Sequence, residues 1–403
     1  MNSKYMVPRV IWVLGASMFF INISNVTIIS LSSVYMTTIG ISIFWIGLLE
    51  GVIEAISFFM KLFSGVISDY LKKRKIIIMI GYGLTITSMF LTSMSVGYGS
   101  LFAARLLGRS GNGIQATPRD AMVGDVAPAH KRGSSYGLMR SLGVLGSIIG
   151  SGLSIVAMWY TANNFTEVFY LATIPSIIAF LLLWCFVKEP KHSKFGDNLA
   201  ADTVHDIEKP AKRFVKLSDL NRMGKKFWYL MGIVSIFMFD QFSSQWTTLV
   251  AYQKFNLPAQ YVPLISMVFC ISYCLYSYPV GLLSDKIGRF KILMTGITIL
   301  MIADLVIASA TSLPMLFVGI FMLGCQTGIA QNTFASLIAD YVPKDILGTA
   351  FGIYYLFSGL ATICAGIFGG LIAEAYGINH IFICSFFLSA FSLWLVHVFQ
   401  KVK

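Results

Sequence analysis

Glu50 to Lys75 reads E-G-V-I-E-A-I-S-F-F-M-K-L-F-S-G-V-I-S-D-Y-L-K-K-R-K. Its first part is an apolar helix interrupted by Glu50, Glu54 and Lys61, and its end is a turn with Asp69 ahead of four consecutive bases. The ending returns as G-L-L-S-D-K-I-G-R-F-K, Gly281 to Lys291, with Asp285 standing 216 positions after Asp69. A second pair repeats at almost the same distance. D-V-A-P-A-H-K-R-G begins at Asp125 and D-Y-V-P-K-D-I-L-G at Asp340, 215 positions apart. The chain is predicted to be two copies of one plan.

Hydrophobic residues make up 56% of the chain and charged residues 12%. Soluble domains are about 45–50% apolar and about 25% charged, so this composition belongs in a bilayer. Runs of roughly 20 apolar residues are needed to cross one as helix. Twelve can be drawn: 7–36, 43–71, 75–96, 99–126, 133–158, 165–187, 226–252, 258–284, 289–309, 313–340, 345–374 and 378–400. The first run, from Val7, is read as a membrane helix rather than a cleaved signal. A β-barrel is excluded, because alternating segments of roughly ten residues are absent.

The formal charge of +12 is not spread as a nucleic-acid binder would spread it. Lys61, Arg105, Arg109, Arg119 and Arg140 fall inside spans, Lys254 lies in an external loop, and the other bases gather on one face. That is the positive-inside pattern, and it puts both termini in the cytoplasm of a cell whose plasma (inner) membrane the chain spans. Residues 188–225 hold Pro190 and Pro210 in a polar, charged run, read as a cytoplasmic tether. The expected organisation is therefore a first bundle of six helices (1–187), a linker (188–225) and a second bundle (226–403). All six cysteines lie in apolar spans with no metal or disulfide spacing, and no cofactor is expected.

These motifs resemble the major facilitator superfamily over essentially the whole chain. The family's turn after the second helix, G-x-x-x-D-[RK]-x-G-[RK]-x-[RK], is met in full by Gly281, Asp285, Lys286, Gly288, Arg289 and Lys291. The first copy keeps Gly65, Asp69, Lys73 and Lys75, with Tyr70 and Lys72 departing. The D-x-x-P-x-x-x-R-G end of the fourth helix is met by Asp125, Pro128, Arg132 and Gly133. The resemblance implies an all-α membrane protein of twelve transmembrane helices in two pseudo-symmetric six-helix bundles, with substrate held between them. It also implies a conformational latch: Asp69 reaching the eleventh helix, Lys73 paired with Asp125, and Asp285, Arg289 and Asp340 repeating the arrangement toward the fifth.

A charge at the bilayer centre costs about 2.5–3.5 kcal/mol on insertion scales, so the bases inside spans need partners or a wet cavity. Glu50, Glu54 and Lys61 share one helix face, and Arg105 and Arg109 lie one turn apart on the fourth span. Arg109 sits in R-S-G-N-G-I, which resembles the family's R-x-x-Q-G-x-G. By that resemblance it is linked to proton coupling and substrate charge, with Glu54 its titrating partner. The alternative is a static network that holds the second and fourth helices together. Arg119 either binds an anionic substrate, closes an inner gate or pairs with Asp125, and Arg140 lies in the same third of the membrane. Because the family lines its cavity with helices 1, 4, 7 and 10, Asn22, Asn25, Asp240, Gln241, Gln245, Trp246, Gln326, Gln331 and Asn332 are cavity candidates, or else interhelical hydrogen-bonding residues.

Bases outnumber acids in the spans of the first half, which favours anions. The fifth span has no proline in G-S-I-I-G-S-G, Gly146 to Gly152, so the family's drug-antiporter signature is not met. The leading expectation is a monomeric, proton-coupled importer of a small organic anion, a carboxylate metabolite or carboxylate siderophore. A proton-driven exporter of drugs or metabolites and a non-transporting sensor are the alternatives. No nucleophile–base arrangement, phosphate loop or metal cluster points to an enzyme.

Overall fold

The computed structural model describes residues 8–71, 73–95, 97–128, 132–187, 189, 223–342 and 346–401. They form α1 (Arg9–Thr38), α2 (Ile43–Leu71), α3 (Arg74–Ser93), α4 (Tyr98–Val126), α5 (Arg132–Tyr160), α6 (Phe165–Phe186, broken at Ala172), α7a (Gly224–Asp240), α7b (Phe242–Gln253), α8 (Pro263–Ile287), α9 (Arg289–Ala308), α10 (Leu313–Tyr341), α11 (Leu347–Tyr376) and α12 (Asn379–Lys401). No strand occurs among the described residues. Nearly all of the linker 188–225 lies outside them. With twelve crossings, Arg9 and Lys401 share one face, called here the terminal face.

Ten of the crossings are long and apolar enough to span a bilayer on their own. The other two fail for different reasons. The fourth carries Arg105, Arg109, Arg119, Asp120 and Asp125 in one helix. The seventh is cut at Gln241 into helices of 17 and 12 residues, a break the apolar run 226–252 gave no reason to expect. Both must be covered by neighbours, because charged and non-helical groups are tolerated at membrane depth only within protein or a cavity.

The two halves pack by the same rules. In the first, α1 lies on α5 and α6, and α4 lies on α2 and α3, with α3 also on α6. In the second, α7a lies on α11 and α12, and α10 lies on α8 and α9, with α9 also on α12. Each contact is its counterpart shifted by six helices. The halves then meet crosswise, α2 on α11 and α5 on α8. Large apolar side chains such as Trp159, Trp184, Phe387 and Trp394 stay on the outside, as a lipid-facing surface requires.

Small residues make the α2–α11 seam. A Cβ on Gly51 would come within 2.7 Å of the Thr362 carbonyl, and one on Gly366 within 2.8 Å of the Gly51 Cα. Close backbone approach of this kind is how membrane helices associate when lipid removes the hydrophobic drive between them. Further along, the Phe58 and Tyr355 rings stack at 6.2 Å.

Gly288 explains the second glycine of the repeated turn. It alone joins α8 to α9, at φ +98, a conformation that side chains other than glycine's resist. The first half has Lys72 at that position and uses two residues, 72 and 73, between α2 and α3. The first turn is therefore one residue longer, which accounts for the offsets of 216 before it and 215 after it.

Gly366→Val inserts a branched side chain into the seam and is expected to cost about 1–3 kcal/mol by overpacking. Thermal unfolding in detergent checks this, and an unchanged midpoint would mean the seam is looser than described.

Candidate functional site

α2 and α4 both run from the opposite face toward the terminal face, so they are parallel neighbours. Equal steps along each therefore stay in register. Glu50 and Glu54, one turn apart on α2, meet Arg105 and Arg109, one turn apart on α4. Arg105 bonds both Glu50 oxygens, with Nη2 to Oε2 at 3.0 Å. Arg109 Nη1 lies 3.1 Å from Glu54 Oε2. The first rung is closed, the Arg105 side chain being 3% exposed, and Ser33 adds a hydrogen bond to Glu50. The second is open, Arg109 and Glu54 being 20% and 27% exposed.

Glycines let the helices come close enough for these pairs. A Cβ on Gly113 would lie within 2.6 Å of the Met60 side chain, and the Gly113 carbonyl accepts from Ser64 at 3.3 Å. Gly65, at the start of the repeated turn, faces Thr117. Thr117 donates to the Lys61 carbonyl at 2.9 Å. On its other side α4 turns amides to α1: Asn25 and Asn112 bond reciprocally, and Gln115 donates to Asn112 at 2.8 Å. Asn25, Arg105, Arg109 and Asn112 border a cavity of ≈ 30 Å³, room for a water. Asn112 and Gln115 stand where R-x-x-Q-G-x-G has its glutamine and its second glycine.

Nearer the terminal face the bases of this group outnumber its acids. The Lys61 ammonium sits over the Phe58 ring at 4.7 Å and the Tyr355 ring at 5.8 Å, within electrostatic reach of Glu54, Arg109, Arg119 and Asp120. Lys61 has no carboxylate partner within ion-pair distance among the described residues. Arg119 is buried, and its Nε has no hydrogen-bond partner among the described residues. It does not pair with Asp125. Arg140 is exposed, and Asp120 and Arg140 both lie within electrostatic reach of the Tyr355 hydroxyl. Four helices, α2, α4, α5 and α11, thus bring Lys61, Arg119, Arg140 and Tyr355 near Asp120, with Glu54 also within reach of Lys61.

At the terminal face the turns differ from the latch implied by resemblance. Asp125 is met by Arg74 at 2.6 Å, not by Lys73. The longer first turn moves the register by one residue, so Arg74 is the counterpart of Arg289, which pairs with Asp340. Glu189 accepts from the backbone N–H groups of Arg74 and Lys75, capping the positive end of α3. The side chains of Asp69, Arg132, Gln245, Asp285, Gln331 and Asn332 lie outside the described residues.

Several cavity candidates are instead interior. Asn22 donates to the Gly143 carbonyl of α5 at 2.9 Å. Trp246 is buried and would contact a Cβ on Gly47. Gln326 is fully buried and accepts from Thr327. Gln241 occupies the break between α7a and α7b. Asp240 is fully buried against α12, where Ser385 and Ser389 bond its carboxyl. The face of α7a that carries it looks into its own bundle, not toward the partner half.

Two repeats of six membrane helices, joined crosswise around charges that only a wet, protein-lined space can hold, define a membrane carrier of small solutes. The family model described as Major Facilitator Superfamily matches residues 12–272 and 231–403, and the chain belongs to that superfamily. Among its relatives is an uncharacterised transporter of the same type from Methanocaldococcus jannaschii, 26% identical over 366 residues, which cover 89% of this chain and 87% of that one. The quinolone resistance protein NorA of Staphylococcus aureus is 26% identical over 183 residues, 45% of this chain and 46% of NorA. The crystal structure of the human organic anion transporter MFSD10 superposes with a TM-score of 0.66 at 16% identity, covering 96% and 99% of the two chains.

Removing one member of the closed rung leaves a buried, uncompensated charge, a loss of about 3–5 kcal/mol. Arg105→Met is expected to lower stability by that amount, and adding Glu50→Gln to recover most of it. A double-mutant cycle on thermal or denaturant unfolding reads this directly.

Proposed function

We propose that the protein imports a small organic anion, a carboxylate metabolite or carboxylate siderophore, together with protons across the plasma membrane. The observation that carries the reading is the group Lys61, Arg119 and Arg140 near Asp120, an excess of cations in the region where the first half meets Tyr355 of the second. Such a space attracts anions and holds one between its positive groups. Arg109 and Glu54 lie at its edge. A proton on Glu54 would release Arg109 to the anion, and an anion on Arg109 would favour a proton on Glu54. That reciprocity is what coupling requires.

In this reading the terminal face is cytoplasmic, the basic run 188–225 tethers the two bundles there, and the monomer is the working unit. The turns from Gly65 and Gly281, with Arg74–Asp125 and Arg289–Asp340, form the latch that holds one conformation closed. Export of drugs or metabolites is the second reading, favoured by the likeness to NorA over 183 residues.

Proteoliposomes with an alkaline interior, offered a panel of radiolabelled mono-, di- and tricarboxylates, test the proposal. Accumulation of at least one acid, abolished by a protonophore, is expected. Arg109→Ala should reduce it roughly 10- to 100-fold, the loss of one charge-assisted contact of about 1.5–3 kcal/mol. Glu54→Gln should leave exchange but remove the dependence on the gradient. Accumulation untouched by both substitutions would refute the assignment.

A further inference from the structure

The second half holds two carboxyls that the reading above does not use. Asp240, the last residue of α7a, and Asp304 on α9 are both fully buried. Between them stands one hydroxyl. Ser385 Oγ of α12 lies 2.7 Å from Asp240 Oδ1 and 2.6 Å from Asp304 Oδ2. Ser389, one turn on, bonds Asp240 Oδ2.

The number of hydrogens decides the protonation. A serine hydroxyl has one hydrogen to give, and an ionised carboxylate only accepts. Ser385 therefore donates to one of the two aspartates and must receive from the other. At least one of the carboxyls carries a proton. Since Ser389 donates to Asp240 as well, an arrangement that satisfies these contacts has Asp304 O–H donating to Ser385, and Ser385 donating to Asp240.

Three further observations bear on the pair. No lysine or arginine occurs at positions 227–253, 255–285, 292–343 or 345–400, so the second half's bases sit at helix ends and in loops, away from the depth of the two carboxyls. Two ionised carboxylates brought onto one buried hydroxyl would repel each other and lose their hydration. The seventh crossing breaks at this point, α7a ending on Asp240 and α7b beginning at Phe242, and the Asp240 carbonyl lies 3.5 Å from the same Ser385 hydroxyl. Discontinuous helices mark ion sites in secondary transporters because they bring polar backbone and a hinge to one place. Ser392 continues the face of Ser385 and Ser389, fully buried, with its Oγ unpartnered among the described residues. The surrounding helices also carry Cys270, Tyr273, Cys274 and Tyr276 on α8, Cys325 on α10, Tyr354, Tyr355 and Cys364 on α11 and Cys384 on α12, while Lys225, Lys226, Tyr229, Arg289, Lys291, Asp340, Tyr341, Glu374, Tyr376, His380, His397 and Lys401 lie toward helix ends.

We propose that Asp240, Ser385 and Asp304 form a second proton-binding site, loaded in this conformation and emptied when the break between α7a and α7b opens. A proton crosses it by one concerted shift. The Asp304 O–H bond breaks as its hydrogen passes to Ser385, while the hydrogen of Ser385 passes to Asp240. The serine ends unchanged and the charge has moved from Asp240 to Asp304. Its use in transport rests on the proton-coupled reading above, but its occupancy does not.

Infrared spectroscopy of the purified protein in lipid nanodiscs, in sodium-free buffer at stepped pH, tests this without a substrate. A protonated-carboxyl carbonyl band is expected at neutral pH, disappearing reversibly as pH rises, before unfolding. Asp304→Asn should remove it, Ser385→Thr should keep it, and Glu54→Gln should leave it in place. Should Asp304→Asn not fold, Asp240→Asn serves instead and should shift or remove the band. The proposal is overturned if the wild type lacks the band, if Glu54→Gln removes it, or if it persists until the protein unfolds, which would make the pair a fixed structural bond. Failed carboxylate uptake with the band intact would count against the substrate reading alone.

Discussion

Every feature of the first half follows from keeping guanidinium groups hydrated or paired at membrane depth. Arg105 and Arg109 are one turn apart because that is the spacing at which two carboxylates on a parallel helix can meet them both. Gly113 sits just beyond because α2 and α4 must nearly touch for the pairs to close. Glu50–Arg105 is shut off and reads as structure. Glu54–Arg109 is partly open and can change partners. The same helix, followed toward the terminal face, then presents Arg119 buried, with its Nε unpartnered among the described residues. A single helix thus grades from a neutralised, buried end to an unneutralised one, and solute chemistry belongs where the compensation stops.

The second half solves the opposite problem. It has carboxyls at depth and its bases only at helix ends and in loops, so protons take the place of arginines. Asp240 and Asp304 need only the hydroxyls of Ser385 and Ser389. The pseudo-symmetry that makes α7a–α12 the counterpart of α1–α6 therefore extends to packing but not to charge. One bundle pairs its carboxylates with arginines and the other bridges its carboxyls through serine hydroxyls, and the two meet closely at the seam of Gly51 and Gly366.

Much of this was legible in the chain itself. Period and length of the apolar runs gave the crossings, and the repeated turn gave the two halves. The one-turn spacings of Glu50 with Glu54 and Arg105 with Arg109 gave the ladder. What escaped did so for physical reasons. Lys73 was aligned with Arg289 because a linear motif hides that Gly288 turns the chain alone at positive φ, whereas the first half takes two residues and so presents Arg74. Asp240 was placed at the central cavity because helix identity does not fix which side of a helix faces it. Ser385 and Ser389 carried no signal at all, since a serine in an apolar span reads as a small packing residue until its partners are known.

The central claim is that unneutralised cations on α2, α4 and α5 recognise an anion. Thermal stabilisation of the purified protein by a chemically sorted library tests it most directly, because any ligand of the folded state raises the midpoint by mass action. The account predicts stabilisation by carboxylates in the wild type and its loss in Arg119→Gln. Stabilisation confined to lipophilic cations, and indifferent to Arg119, would contradict it.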